Sequence, residues 1–80
     1  MIDWPATHKE ALEIFVRYLQ IDTSNPPGNE KPAARYLGSL MEVEGIACEY
    51  IESAPERETV VARLRGDGSK RPIMLCNHTD

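Results

Sequence analysis

Residues 72–80 have the sequence Pro-Ile-Met-Leu-Cys-Asn-His-Thr-Asp, in which a short apolar run is followed by four largely polar residues. An uninterrupted apolar run such as residues 72–76 is typical of a β-strand that is buried on both faces, as in a parallel sheet. Such a strand needs helices above and below it. The run therefore predicts a layered α/β fold with this strand near its centre.

Two helices are predicted on the amino-terminal side of this run. Within residues 3–21, apolar residues recur at three- and four-residue spacing, which predicts a helix capped by Asp3. Its predicted buried stripe consists of Ala11, Leu12, Phe15, Val16 and Leu19. Residues 22–29 contain two prolines and a glycine and predict an ordered loop. A second helix is predicted over residues 30–44, and Gly45 is expected to end it in the left-handed conformation.

The remaining segments predict strands. The apolar period changes to two over residues 46–51, which predicts a strand with one buried face, and residues 59–64 predict a second strand after a turn. With residues 72–76 as the third, the predicted fold class is α/β: two amino-terminal helices followed by three strands of a mixed sheet. These elements are too few to cover both faces of the apolar strand. Residues 1–80 are therefore expected to be an incomplete, truncated part of a larger domain.

Composition excludes several classes of partner. The net charge is −4 and basic residues are scattered, so nucleic acid is not expected as a partner. No apolar stretch approaches the roughly 20 residues that cross a bilayer, so no membrane partner is expected either. The amino terminus lacks the pattern of a signal peptide, which predicts a cytoplasmic location. In that compartment Cys48 and Cys76 are expected to be reduced, buried thiols.

The chemistry is concentrated at the end of the apolar run, where open α/β sheets present catalytic groups. In an extended strand, side chains two residues apart point the same way, which would place the Asp80 carboxylate near the His78 imidazole. A carboxylate in this position fixes the tautomer of the ring and leaves its other nitrogen for a metal. His78 is therefore a candidate metal ligand, whereas His8 is expected to be a solvated surface residue. The following acidic residues are also expected on the solvated surface: Glu42, Glu44, Glu49, Glu52, Glu56 and Glu58.

Three segments resemble, in order and at matching distances, the amino-terminal part of the M20 family of zinc metallopeptidases and amidohydrolases. Residues 18–30, YLQIDTSNPPGNE, are similar to the family's loop between its first two helices. Residues 33–46 resemble its second helix and the beginning of its sheet, and residues 73–80 are similar to the strand and metal motif that follow. The resemblance extends over the whole chain.

This resemblance implies a function and a site. His78 would bind one zinc ion of a two-metal site, which could also accept cobalt or manganese, and Asp80 would be the catalytic aspartate that orients its imidazole. The other ligands and the general-base glutamate would lie downstream. The parent enzyme would cleave the amide bonds of small peptides or N-acylated amino acids. The full-length protein could be a homodimer. The 80 residues alone are expected to be inactive, because zinc takes three or four protein ligands.

A second interpretation is a complete small α/β protein without catalytic activity. It would be an interaction module that needs a partner to complete its sheet, and it would form a stable oligomer or heterocomplex. The end of the chain at Asp80, directly after the apolar run, favours the first interpretation over this one.

Overall fold

The structure, a computed structural model, describes residues 1–79. Its elements are helix α1 (Trp4–Leu19), helix α2 (Lys31–Val43), strand β1 (Cys48–Ala54) and strand β2 (Arg57–Ala62). The two strands pair antiparallel and form the one sheet of the described residues. The molecule is thus a small α/β fold in which a helical pair precedes a β-hairpin.

Helix α1 forms where the sequence predicts it, but a different face of it is covered. The Asp3 carboxylate accepts a hydrogen bond from the backbone N–H of Ala6 at 3.1 Å, which confirms the predicted cap. The half-buried residues of α1 are Ile14 and Tyr18. In contrast, the four large side chains of the predicted buried stripe are 46 to 63% exposed: Leu12, Phe15, Val16 and Leu19. That part of the prediction is wrong for the described residues.

Helix α2 packs on one face of the hairpin and supplies most of the burial. Ala33, Ala34 and Gly38 are its buried residues. Small side chains at these positions allow the helix to lie close to the strands, in particular to β2. Gly45 follows the helix with φ 81°, the left-handed conformation expected of a glycine after a helix.

The hairpin turns through two residues, Pro55 and Glu56, and Glu56 has a positive φ of 64°. In its register Cys48 lies opposite Ala62 and Tyr50 opposite Val60. All four side chains of these two pairs are half-buried, whereas Glu49 and Val61 between them are exposed. The alternation shows that one face of the hairpin is covered by α2 and the other is open, as the period-two pattern predicts.

The predicted third strand is absent from the described residues, so the prediction of a three-stranded mixed sheet is wrong. Residues 71–79 form no helix or strand, and Ile73, Met74 and Leu75 are 88, 86 and 90% exposed. Cys76 is exposed as well, contrary to the expected buried thiol, and Cys48 is half-buried. The physical reason is that an apolar run becomes a strand only when a neighbouring backbone accepts its hydrogen bonds, and a local pattern does not specify that neighbour.

The described residues bury little apolar surface for their number. The buried hydrophobic residues are Ala33 and Ala34, and no large side chain is fully buried. The chain exposes 7116 Å², whereas a compact protein of 9.0 kDa exposes about 4,900 Å². Its radius of gyration is 14.5 Å, compared with about 11.6 Å for a compact domain of this length. Within residues 1–79, no helix has the length and apolar character needed to cross a membrane.

Candidate metal site and the cleft beside it

His78 lines a cleft of about 420 Å³ between α2, β2 and the segment 76–79. The helix contributes Ala34 and Leu37 to the walls of the cleft, and β2 contributes residues 57–60. His78 itself is solvent-exposed. The candidate ligand therefore lies at an accessible position beside the sheet, although the segment that carries it is not a strand.

The segment that carries His78 is attached to the loop between the two helices. The hydroxyl of Thr23 donates a hydrogen bond to the backbone carbonyl of Thr79. The side-chain amide of Asn77 donates to the carbonyl of His78 at 3.2 Å. Thr79 is half-buried, unlike the residues before it. The bond from Thr23 thus fixes the position of the backbone next to His78.

The loop that holds Thr23 is itself ordered by local hydrogen bonds. The Asp22 carboxylate accepts bonds from the hydroxyl of Ser24 at 2.6 Å and from its backbone N–H at 3.0 Å. Both bonds lower the pKa of Asp22, and the bond from the Ser24 hydroxyl has the larger effect. Further along, the N–H of Gly28 donates to the carbonyl of Ser24 at 2.8 Å. Thr23 therefore lies within the first of two consecutive local turns of the loop.

A bidentate ion pair joins the start of α2 to the hairpin turn at one wall of the cleft. Arg57 donates through Nη2 to Glu30 Oε1 at 2.9 Å and through Nε to Glu30 Oε2 at 3.1 Å. Glu30 is only 7% exposed. Gly28 leaves room for the guanidinium, since a Cβ at that position would lie 2.8 Å from Arg57 Cζ. The N–H of Lys31 also donates to the carbonyl of Glu56 at 3.0 Å, so side chains and backbone both connect the two elements.

A second polar network connects α2 to both strands. Arg35 donates to the two carboxylate oxygens of Glu58 at 2.8 and 3.1 Å, and its guanidinium lies over the ring of Tyr50, 3.9 Å from the centroid. The hydroxyl of Tyr50 donates to the Glu42 carboxylate. The hydrogen bond from Arg35 lowers the pKa of Glu58, and the bond to Glu42 raises the pKa of Tyr50 to about 12. The Glu58 side chain is only 6% exposed, so the prediction that Glu58 lies on the solvated surface is wrong.

The donor set of the cleft fits zinc only in part. Imidazole is a common ligand of zinc, and His78 is accessible to an ion. However, no group of three or more His, Cys, Asp or Glu side chains is arranged to hold a metal ion within residues 1–79. Zinc takes three or four protein ligands, so His78 fits as one ligand of a site that other residues must complete. Asp80 lies outside the described residues, and its role beside the imidazole stays a prediction.

The amino-acid pattern indicates His78 as a candidate ligand but does not indicate the residues that form the walls of its cleft. Glu58 occupies the same face of β2 as Val60 and Ala62, and this alternation was the signal that its carboxylate is covered and needs a cationic partner. Glu30 and Arg57 gave no comparable signal, because their pairing depends on how the start of α2 meets the hairpin turn.

The chain matches no protein-family model, no curated protein and no solved structure. The M20 resemblance therefore stays a prediction that rests on the three sequence segments.

Proposed function

We propose that this chain forms part of a zinc-dependent hydrolase that cleaves the amide bonds of small peptides or N-acylated amino acids. One observation carries the proposal. Two of the segments on which the M20 resemblance rests, residues 18–30 and residues 73–80, are far apart in sequence but meet through the bond from Thr23 to Thr79. This contact supports a shared role for the two segments in holding His78 at the mouth of the cleft.

In this proposal each residue has a limited task. His78 binds one zinc ion through a ring nitrogen, and Asp80 orients the imidazole. Thr23 positions the backbone beside them. When bound, zinc supplies an activated water and polarises the amide carbonyl. The further ligands and the general base come from outside residues 1–80, and the chain is inactive without them.

The proposed location is the cytoplasm, where Cys48 and Cys76, both free thiols, would stay reduced. A homodimer of the full-length protein also stays a proposal.

The experiment is an activity assay on the complete product of the gene that encodes this chain. Dipeptides and N-acetyl amino acids are supplied with zinc, and the released amine is quantified. We expect zinc-dependent hydrolysis of at least one substrate, a loss in kcat/KM of at least about 100-fold in His78→Ala, and full activity in His8→Ala. His8 is a matched control because it is also an exposed histidine, on α1. Full activity in His78→Ala, or no hydrolysis of any substrate with zinc bound, would contradict the proposal.

A second candidate function is the interaction module without catalysis. The observation that favours it is the exposed run Ile73 to Leu75, together with a hairpin to which no further strand is added within residues 1–79. Such a module would bind a partner stably and would show no zinc-dependent hydrolysis in the assay above.

A further inference from the structure

The loop between the two helices begins with a tight turn that the Asp22 side chain closes. Asp22 Oδ1 accepts hydrogen bonds from the Ser24 hydroxyl at 2.6 Å and from the Ser24 backbone N–H at 3.0 Å. A bond from an aspartate to the N–H two residues further on imitates a backbone turn and restricts the residue between them. That residue is Thr23, so Asp22 and Ser24 together set where the Thr23 side chain lies.

The Thr23 hydroxyl connects this turn to the segment that carries the candidate metal ligand. It donates to the backbone carbonyl of Thr79, which lies 56 residues further along the chain. Thr23 and Thr79 are both half-buried, whereas residues 63–78 are all exposed. Because consecutive Cα atoms are about 3.8 Å apart, a shift of the Thr79 carbonyl also displaces His78. The order of the turn is therefore passed on to His78 through the bond from Thr23.

The position of His78 is not fixed by regular secondary structure. Residues 71–79 form no helix or strand, so neither a sheet ladder nor a helical turn holds the imidazole at one place. A ligand that becomes ordered only when the ion binds loses conformational entropy at that moment, which weakens binding. Groups that hold a ligand in place beforehand raise metal affinity, and their removal typically costs about 10- to 100-fold.

We propose that Asp22 is a positioning residue for the metal site at His78. Its carboxylate fixes the turn over residues 22–24, the turn places the Thr23 hydroxyl, and this hydroxyl holds the backbone beside His78. Asp22 acts through Thr23 and not through contact with the ion. This inference rests on the proposed function, since it requires zinc at His78.

A second turn of the same kind provides a matched control. Asp67 Oδ1 accepts a hydrogen bond from the backbone N–H of Ser69 at 2.8 Å. In both turns, hydrogen bonds from the serine side chain and backbone lower the pKa of the aspartate. Asp67 is exposed, as Asp22 is, and only exposed residues lie between its turn and His78. Loss of the Asp67 turn is therefore not expected to displace His78.

The test is the zinc affinity of the complete gene product, which is stripped of metal and titrated with zinc against a chromogenic chelator. The constant that matters is the dissociation constant of the ion that His78→Ala removes. Asp22→Ala is expected to raise it about tenfold. Asp22→Asn, which keeps an Oδ1 acceptor, and Asp67→Ala are expected to stay within about twofold of the unchanged protein. Because Asp22 acts through Thr23, adding Asp22→Ala to Thr23→Val should cause no further loss.

The results that overturn this inference differ from those that overturn the proposed function. If His78→Ala loses zinc, the proposed function stands, and the role of Asp22 is rejected by an unchanged constant in Asp22→Ala, an equal loss in Asp67→Ala, or a further tenfold loss in the double variant. If His78→Ala keeps all its zinc, both are rejected. Should Asp22→Ala not fold, Ser24→Ala takes its place. It removes one of the two bonds to Asp22 and should raise the constant about threefold, and an unchanged constant would reject the role of Asp22.

Discussion

Gly38 of α2 and Tyr50 of β1 lie in direct contact, so that a Cβ at Gly38 would be 2.7 Å from Tyr50 Cζ. Arg35, Gly38 and Glu42 follow one another at three- and four-residue spacing and therefore share one face of the helix. The Tyr50 ring lies across this face. The Arg35 guanidinium lies over the ring, and the Tyr50 hydroxyl donates a hydrogen bond to the Glu42 carboxylate. The missing side chain at Gly38 is what allows this arrangement between helix and sheet.

Gly38→Ala is expected to destabilise the protein although alanine favours a helix. Helix propensity would give a gain of about 1 kcal/mol, but overpacking against the Tyr50 ring costs about 1 to 3 kcal/mol. We expect a net loss in the free energy of unfolding, measured by urea at one fixed protein concentration. Gly66→Ala is the control, because no atom lies within 4 Å of a Cβ at Gly66. A more stable Gly38→Ala protein would show that the ring does not pack against the helix in this way.

Glu30→Gln is expected to reduce the free energy of unfolding by about 1 to 3 kcal/mol, because it removes the charge that faces Arg57 in a largely buried pair. The value is below that of a fully buried pair since the Arg57 side chain is 38% exposed and retains some water. The exposed Glu49→Gln is the control and should change stability by less than about 0.5 kcal/mol. Equal effects of the two substitutions would argue against the pair.

The ion pair between Arg35 and Glu58 should make stability depend on acid pH. The pKa of Glu58 is lowered in the folded protein, so its contribution is present above the ordinary glutamate pKa of about 4.3 and is lost as the pH falls through the lowered value. Between pH 6 and 3 the unchanged protein should therefore lose more stability than Arg35→Gln. Arg63→Gln, at an exposed position after β2, should follow the unchanged protein. Parallel curves for the unchanged protein and Arg35→Gln would contradict this expectation.

Thr23→Val is expected to loosen the segment that carries His78, because it removes the hydroxyl that donates to Thr79 while keeping the shape of the side chain. Nitrogen-15 relaxation should show increased mobility of the amides of residues 76–79. Thr7→Val is a matched control, since Thr7 also donates its hydroxyl to a backbone carbonyl, that of Asp3 at 2.9 Å. If the relaxation of residues 76–79 were the same in both variants, the bond from Thr23 would not hold this segment.

The elements that depend on local interactions could be predicted from the sequence. The cap at Asp3, the loop over residues 22–29 and the left-handed Gly45 each follow from the side chains of a few consecutive residues. The hairpin also follows, because its period-two pattern and its turn lie within one short stretch of chain. For the candidate site, the sequence indicated His78 as a metal ligand, and this role stays a prediction.

The features that depend on distant partners could not be predicted. Residues 72–76 have the composition of a buried strand, but that composition does not say which backbone would pair with them, and within residues 1–79 none does. The prediction that the apolar stripe of α1 is buried was wrong for the same reason, since an amphipathic pattern identifies an apolar face but not what covers it. The walls of the cleft were missed because Glu30 and Arg57 are 27 residues apart in sequence.

The most direct test of the central claim, that His78 is a zinc ligand, is the zinc content of the purified complete gene product. Zinc per chain is measured by mass spectrometry for the unchanged protein, His78→Ala and His8→Ala, after dialysis against a weak chelator. We expect equal zinc in the unchanged protein and His8→Ala, and at least one ion fewer per chain in His78→Ala. Equal zinc in all three proteins would contradict the claim.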